Sequence, residues 1–154
     1  MTRLPTGKLI FDTSVYVRHI REGSYSRIED DNAVLKRSVL TAVVAAELYA
    51  GARSREEKDD LDALCQWHQR LGSLSSPATS AWLEAGQMVG RYARVYGGLR
   101  MADHFRDVLI ALEAANNGAC LVTENARDFL RWQKLFRSAG RDLMVCDVLT
   151  LSEG

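Results

Sequence analysis

The run Leu9-Ile10-Phe11-Asp12-Thr13-Ser14-Val15-Tyr16 starts as a strand and turns at once into a helix. Lys8–Phe11 is a short apolar stretch that Asp12 stops. Thr13 or Ser14 carries a small hydroxyl that can accept from the open N–H groups of a helix running through His19. A buried strand that feeds directly into a helix is the repeating unit of α/β folds.

The same alternation continues outward. Tyr25–Arg37 is polar and reads as helix or loop. Ser38–Thr41 reads as a short strand, and Val43–Ala52 as a helix with Gly51 near its end. Ser54–Leu71 is helical by period, with Leu61, Leu64, Cys65, His68 and Leu71 on one stripe. Leu74–Ser76 is a strand before Pro77. Ala78, Ala81, Trp82, Ala85, Met88, Val89, Tyr92, Val95 and Tyr96 recur at three- and four-residue steps. Thr79 or Ser80 would cap that helix, and Gly97 would end it. Asp103–Asn117 is a further helix closed by Gly118. Ala119–Thr123 is a buried strand, Ala126–Phe136 a helix and Leu143–Cys146 a last strand. The expected fold is a three-layer α/β/α sandwich with a central, mostly parallel sheet, as a single domain over 1–154.

Composition narrows the functional classes. The chain has 154 residues, 47% apolar and 26% charged, which suits one ordinary globular domain. Twenty Lys+Arg balance twenty Asp+Glu, so the chain lacks the basic excess of a non-specific polyanion binder. Cys65, Cys120 and Cys146 are far apart, with no Cys-x-x-Cys pair, which argues against a zinc ribbon or thioredoxin site. They read as free thiols of a cytoplasmic protein. The longest apolar runs, Ala42–Ala46 and Val108–Leu112, are far short of a membrane span, and no signal peptide is expected. His19, His68 and His104 are scattered, and His68 reads as structural. Gly-rich phosphate loops and Gly-x-Ser-x-Gly are absent.

Three acids occupy unusual places. Asp12 ends the first strand, and ligands of open parallel sheets bind at strand carboxyl ends. Glu47 shares its helix face with Val43, Val44, Ala50 and Gly51. Asp107 opens the apolar run Val108–Leu112, with Ile110 and Ala111 on its face. Isolated carboxylates in a dry site are costly, and three together repel. A hard divalent cation, Mg²⁺ or Mn²⁺, relieves both effects and takes oxygen ligands. Each acid also has a plain structural reading. Asp12 can cap a helix, Glu47 can pair with Arg53, and Asp107 can serve as a first-turn acid.

Four motifs together resemble the PIN-domain family, in particular its VapC-type toxin ribonucleases. Leu9-Ile10-Phe11-Asp12-Thr13-Ser14 is similar to the family's strand ending in Asp-Thr-Ser. Thr41-Ala42-Val43-Val44-Ala45-Ala46-Glu47 is similar to its Ser- or Thr-started helix carrying Glu. Asp107-Val108-Leu109-Ile110-Ala111 is similar to its Asp-x-x-Ile-Ala helix. Leu121-Val122-Thr123-Glu124-Asn125, followed by Asp128-Phe129, is similar to its last strand end. Order and spacing agree, and the resemblance covers roughly residues 8 to 147.

The resemblance implies a Mg²⁺-dependent endoribonuclease, with Mn²⁺ as a substitute, belonging to a type II toxin–antitoxin pair. Asp12, Glu47 and Asp107 match the acidic metal-site residues. Asn125 stands where many members have a fourth Asp, which lowers the site charge and weakens a second metal. Thr13 and Thr123 would steady carboxylates or water, or simply cap strand ends. Asp103 and Asp128 are supporting candidates. Phosphate contacts are sought among Arg18, Arg21, Arg53, Arg55, Arg100, Arg106 and Arg127, and single-stranded loops of RNA are the expected targets. The implied partners are a VapB-like antitoxin and a second copy in a homodimer. Two other classes stay open: a structure-specific DNA nuclease, and a non-catalytic module that binds RNA or protein.

Overall fold

Leu9–Phe11 forms the central strand, β1, of a sheet whose three residues here are all fully buried. In the computed structural model, residues 3–25, 31–97 and 100–151 are described, apart from the side chains of 101–103. Around β1 stand β2 (Ser38–Thr41), β3 (Leu74–Ser75), β4 (Cys120–Thr123) and β5 (Met144–Asp147). The order is β3-β2-β1-β4-β5. Every pairing is parallel, with Ile10 opposite both Val39 and Leu121. β1, β2 and β4 are buried along their whole length, as strands covered on both faces must be. β3 and β5 are partly exposed, as edge strands are.

The helices are α1 (Thr13–Glu22), α2 (Asn32–Arg37), α3 (Ala42–Ala50), α4 (Arg55–Arg70), α5 (Thr79–Tyr96), α6 (Met101–Asn116) and α7 (Ala126–Ser138). A short 3₁₀ turn, Val148–Thr150, follows β5. Helices α1, α3 and α4 pack together, and α5, α6 and α7 pack together. The strand order reverses direction after β3. Right-handed crossovers on either side of that reversal put their helices on opposite faces. The result is the expected α/β sandwich, with an all-parallel sheet.

Local chemistry accounts for most element ends, with some corrections. Asp12, rather than Thr13 or Ser14, is the N-cap of α1, and its carboxylate accepts from the Thr13 N–H. Ala78, rather than Thr79 or Ser80, is the N-cap of α5, which starts without a side-chain cap. α6 starts two residues earlier than expected, at Met101. Gly97 and Gly118 have φ of 74° and 62°, the left-handed region that ends a helix cheaply only with glycine. The α4 stripe buries Leu61 and His68 but leaves Leu71 half exposed, because Leu71 is already the C-cap. On α5, Ala81, Ala85, Met88, Val89 and Tyr92 enter the core, while Trp82 and Val95 face outward. The expected helix or loop over Tyr25–Arg37 resolves into α2 at its end, with 26–30 outside the described residues.

Two buried polar groups tie distant elements together. Glu113 on α6 accepts from the Ser75 hydroxyl on edge strand β3. His68 is fully buried on α4, and its Nδ1 lies 2.8 Å from Ser73 Oγ just before β3. Cys65, Cys120 and Cys146 are free thiols. Among the described residues no helix is long and apolar enough to cross a membrane.

Candidate active site

The reversal of strand order falls between β1 and β4. Adjacent helices leave in opposite directions there, which opens a crevice at the carboxyl ends of those strands. Asp12 sits in it. Its N–H donates to Val122 O at 2.9 Å, which extends the β1–β4 ladder by one residue. Its carboxylate then accepts from the Thr13 N–H at 2.8 Å, the Thr123 hydroxyl at 2.8 Å and the Ser14 hydroxyl at 3.3 Å. Asp12 is only 7% exposed. Burial raises its pKa, against the pull of those hydrogen bonds and of the Arg106 charge.

Glu47 comes from the second turn of α3, just beyond the carboxyl end of β2. It is half-buried, and Arg106 Nη1 lies 3.0 Å from its Oε2. The expected alternative partner was Arg53, but the ion pair of Glu47 is with Arg106, and Arg53 donates its backbone N–H to Glu57. Burial raises the Glu47 pKa first, Arg106 lowers it, and Asp12 raises it again. The Thr13 hydroxyl is buried without a formed hydrogen bond, yet it lies toward Glu47 and favours the ionised carboxylate.

Asp107 follows Arg106 on α6 and completes the trio. Its carboxyl is pushed up to about 7. Burial is the main cause, and the charges of Asp12, Glu47 and Asp128 add to it, while Arg106 opposes them. Arg106 therefore attracts all three acids and is their shared counter-charge.

The structure thus brings Asp12, Glu47, Asp107 and Asp128 into one electrostatic neighbourhood. Asn125 is exposed at the start of α7, where its N–H donates to Thr123 Oγ1 at 3.0 Å and its side chain makes no cap bond. Asp128, one turn further on, reaches a cleft shared with Asp107. The Asp103 side chain lies outside the described residues. Among the phosphate candidates, Arg18 is held by Glu124 at 2.6 Å, and Arg21 donates to Gly51 O at 2.8 Å. Arg53, Arg55, Arg100 and Arg127 are exposed.

The donor set suits a hard divalent cation: carboxylates, hydroxyls and one buried hydroxyl, Thr13 Oγ1, with a lone pair to spare. Among the described residues no three His, Cys, Asp or Glu side chains stand close enough to close a shell around one ion. Glu47 is instead turned to Arg106. The chemistry of the site fits such an ion, and enclosing it requires Glu47 to exchange Arg106 for the cation.

Sequence reading missed the cleft beside Asp107. Tyr92, His104, Trp132 and Arg131 line it with Asp107, Arg127 and Asp128. The four-residue step from Arg127 to Arg131 on one helix face was the available signal.

No family model and no curated protein matches this sequence. Solved structures do. A chain of the DNA-bound VapBC from Salmonella typhimurium is 22% identical at a TM-score of 0.65, covering 92% of this chain and 98% of that one. A chain of VapBC2 from Rickettsia felis, bound to a promoter DNA fragment, is 20% identical at 0.62, covering 90% and 96%. A chain of FitAB bound to an IR36 DNA fragment is 17% identical at 0.56, covering 90% and 93%. The class that fold and topology define is the PIN-like α/β sandwich. It is the fold found in these VapBC and FitAB complexes, matched over nearly the whole chain.

Proposed function

We propose that this chain is a metal-dependent endoribonuclease and the toxin member of a VapBC-type pair. The observation that carries the reading is the group of three buried or half-buried acids at the β1–β4 crevice, where burial raises each pKa, Asp12 also raises that of Glu47, and both raise that of Asp107. Strongly perturbed carboxyls gathered in a crevice are characteristic of functional sites.

Asp12 and Asp107 would hold Mg²⁺ or Mn²⁺ directly, with Glu47 completing the set or orienting the attacking water. Asn125 adds an oxygen but no charge, which favours one metal over two. When bound, the cation would polarise the scissile phosphate and make a nearby water a better nucleophile. Thr123, Ser14 and the Thr13 N–H fix Asp12, so its orientation costs little when substrate arrives. Arg106 offsets acidic charge that would otherwise repel a phosphodiester. Water oxygen attacks phosphorus, the bond to the 3′ oxygen breaks, and that oxygen takes a proton. The products are a 5′-phosphate and a 3′-hydroxyl.

The partners proposed with this activity are a VapB-like antitoxin, a second copy in a homodimer, and RNA, in the cytoplasm. The test is cleavage of a structured RNA pool with Mg²⁺ or Mn²⁺, with EDTA and Asp107→Asn as controls and a DNA pool in parallel. Metal-dependent cutting of RNA that the variant loses supports the reading. Preferential cutting of DNA, or a 2′,3′-cyclic phosphate end, overturns it.

A further inference from the structure

Next to Asp107 a cleft of about 390 Å³ opens between α5, α6 and α7. That volume lies within the ~300–1,000 Å³ range of small-ligand sites. Its floor is aromatic. Tyr92 stacks on His104 at 5.7 Å and 25°, and lies 4.6 Å from the Trp132 ring. Tyr92 and Trp132 are buried, and His104 is the partly exposed ring of the three. His104 Nδ1 is buried without a hydrogen-bond partner. The exposed part of that ring lines the cleft.

The mouth is cationic. Arg127 and Arg131 lie one turn apart on α7, and both are exposed. Arg131 is held in advance: Nη1 donates to the Tyr92 hydroxyl at 3.1 Å, and the guanidinium lies 4.7 Å from the Tyr96 ring centroid. A preset guanidinium loses little freedom when it captures an anion. Asp107 and Asp128 close the side toward the acidic site.

We infer that this cleft seats one unstacked nucleotide of a single-stranded RNA, adjoining the bond to be cut. Arg127 and Arg131 take its phosphate, and the base lies against the exposed part of the His104 ring. The inference rests on the nuclease reading for the identity of the neighbouring site. Single-strandedness follows from cost: a paired base must unpair and unstack before it enters a cleft for one nucleotide, whereas a base of a single strand is already accessible. Ring contact tolerates any base, because every base has a π-face.

The test is fluorescence anisotropy with labelled 2′-O-methyl RNA hexamers of each base, in EDTA, on the full chain. Arg131→Gln and Arg127→Gln each weaken binding about tenfold, and Arg131→Lys recovers part of the loss. His104→Ala weakens binding of all four hexamers by a similar factor, because the ring contact it removes is base-tolerant. A duplex of the same sequence binds at least tenfold more weakly. Binding that survives both arginine variants, or a duplex bound as tightly as the single strand, overturns the inference. EDTA separates the two readings. Cleft-dependent binding by a protein that never cuts RNA overturns only the nuclease, whereas cutting with unaltered binding in the arginine variants overturns only the cleft.

Discussion

The Thr123 hydroxyl donates to Asp12 Oδ2 at 2.8 Å, joining residues at the ends of two neighbouring strands, β4 and β1. The same oxygen accepts from the Asn125 N–H at 3.0 Å. One hydroxyl thus links an acid of the proposed metal site to the start of α7. It is fully buried, so its loss is not made good by water. Thr123→Val should lower stability by about 1–2 kcal/mol in denaturant unfolding. It should also raise the Mg²⁺ concentration needed for half-maximal RNA cleavage, because Asp12 keeps only Ser14 and the Thr13 N–H. An unchanged Mg²⁺ requirement in a folded Thr123→Val protein would remove Thr123 from the site.

Asp107 carries a measurable cost. Its folded pKa of about 7 stands above the ordinary 3.8, so this residue favours the folded state most below pH 3.8. That contribution is lost as pH rises to 7 and the carboxylate ionises among Asp12, Glu47 and Asp128. Asp107→Asn removes the penalty. In EDTA at pH 8 the variant should gain on the order of 2 kcal/mol, after discounting the full shift for partial exposure, or ~5 °C in Tm. Mg²⁺ should raise the Tm of the unaltered chain and leave that of Asp107→Asn in place. A variant less stable than its parent at pH 8 contradicts the electrostatic account.

Arg106 has opposed duties, and its removal should separate them. Its pair with Glu47 is solvent-facing, with the arginine side chain 56% exposed, so it adds at most ~1 kcal/mol to stability. Arg106→Ala leaves three acids without their shared counter-charge. Metal affinity should then rise and RNA affinity fall. Calorimetric Mg²⁺ titration and hexamer anisotropy read the two changes independently. Parallel movement of both would show that Arg106 acts only as scaffold.

The fold was largely legible from apolar spacing. β1, β2 and β4 are buried on both faces and flanked by capping groups, so Leu9–Phe11, Ser38–Thr41 and the strand at Cys120 stand out by composition alone. Asp12, Glu47 and Asp107 were legible as acids in apolar company; the structure sets them near enough for Asp12 and Glu47 to raise the Asp107 pKa, while no three such side chains among the described residues close a shell around one ion. The capping reading of Asp12 is also correct, since one carboxylate oxygen serves α1 while the other meets Thr123. Trp82 shares the helical stripe of α5 yet faces outward, because helical period fixes a stripe whereas the width of the buried face depends on which neighbours cover it. The cleft was hidden for a similar reason. Tyr92, His104 and Trp132 belong to three helices, and their meeting depends on packing rather than on local spacing.

His68 gives a pH test away from the proposed site. Its Nδ1 lies 2.8 Å from Ser73 Oγ, and because the Ser73 proton goes to the His68 carbonyl at 3.3 Å, the proton between ring and hydroxyl is assigned to Nδ1. That arrangement uses each proton once and leaves Nε2 bare, buried and without a partner. A charged imidazole there would carry a second N–H with no acceptor, and burial holds the pKa down to about 4 against 6.5 in the open chain. The sign follows. The contribution of neutral His68 is complete above pH 6.5 and is lost as pH falls through 4, because the unfolded chain binds the proton first. Between pH 7 and pH 5 this one group should cost about 2 kcal/mol of unfolding free energy. His68→Met fills similar space and cannot take the proton. Its urea-unfolding free energy should be flatter by that amount over the same range, with cleavage at pH 7.5 unchanged. An identical pH slope in the two proteins would mean that His68 reaches water in the native state.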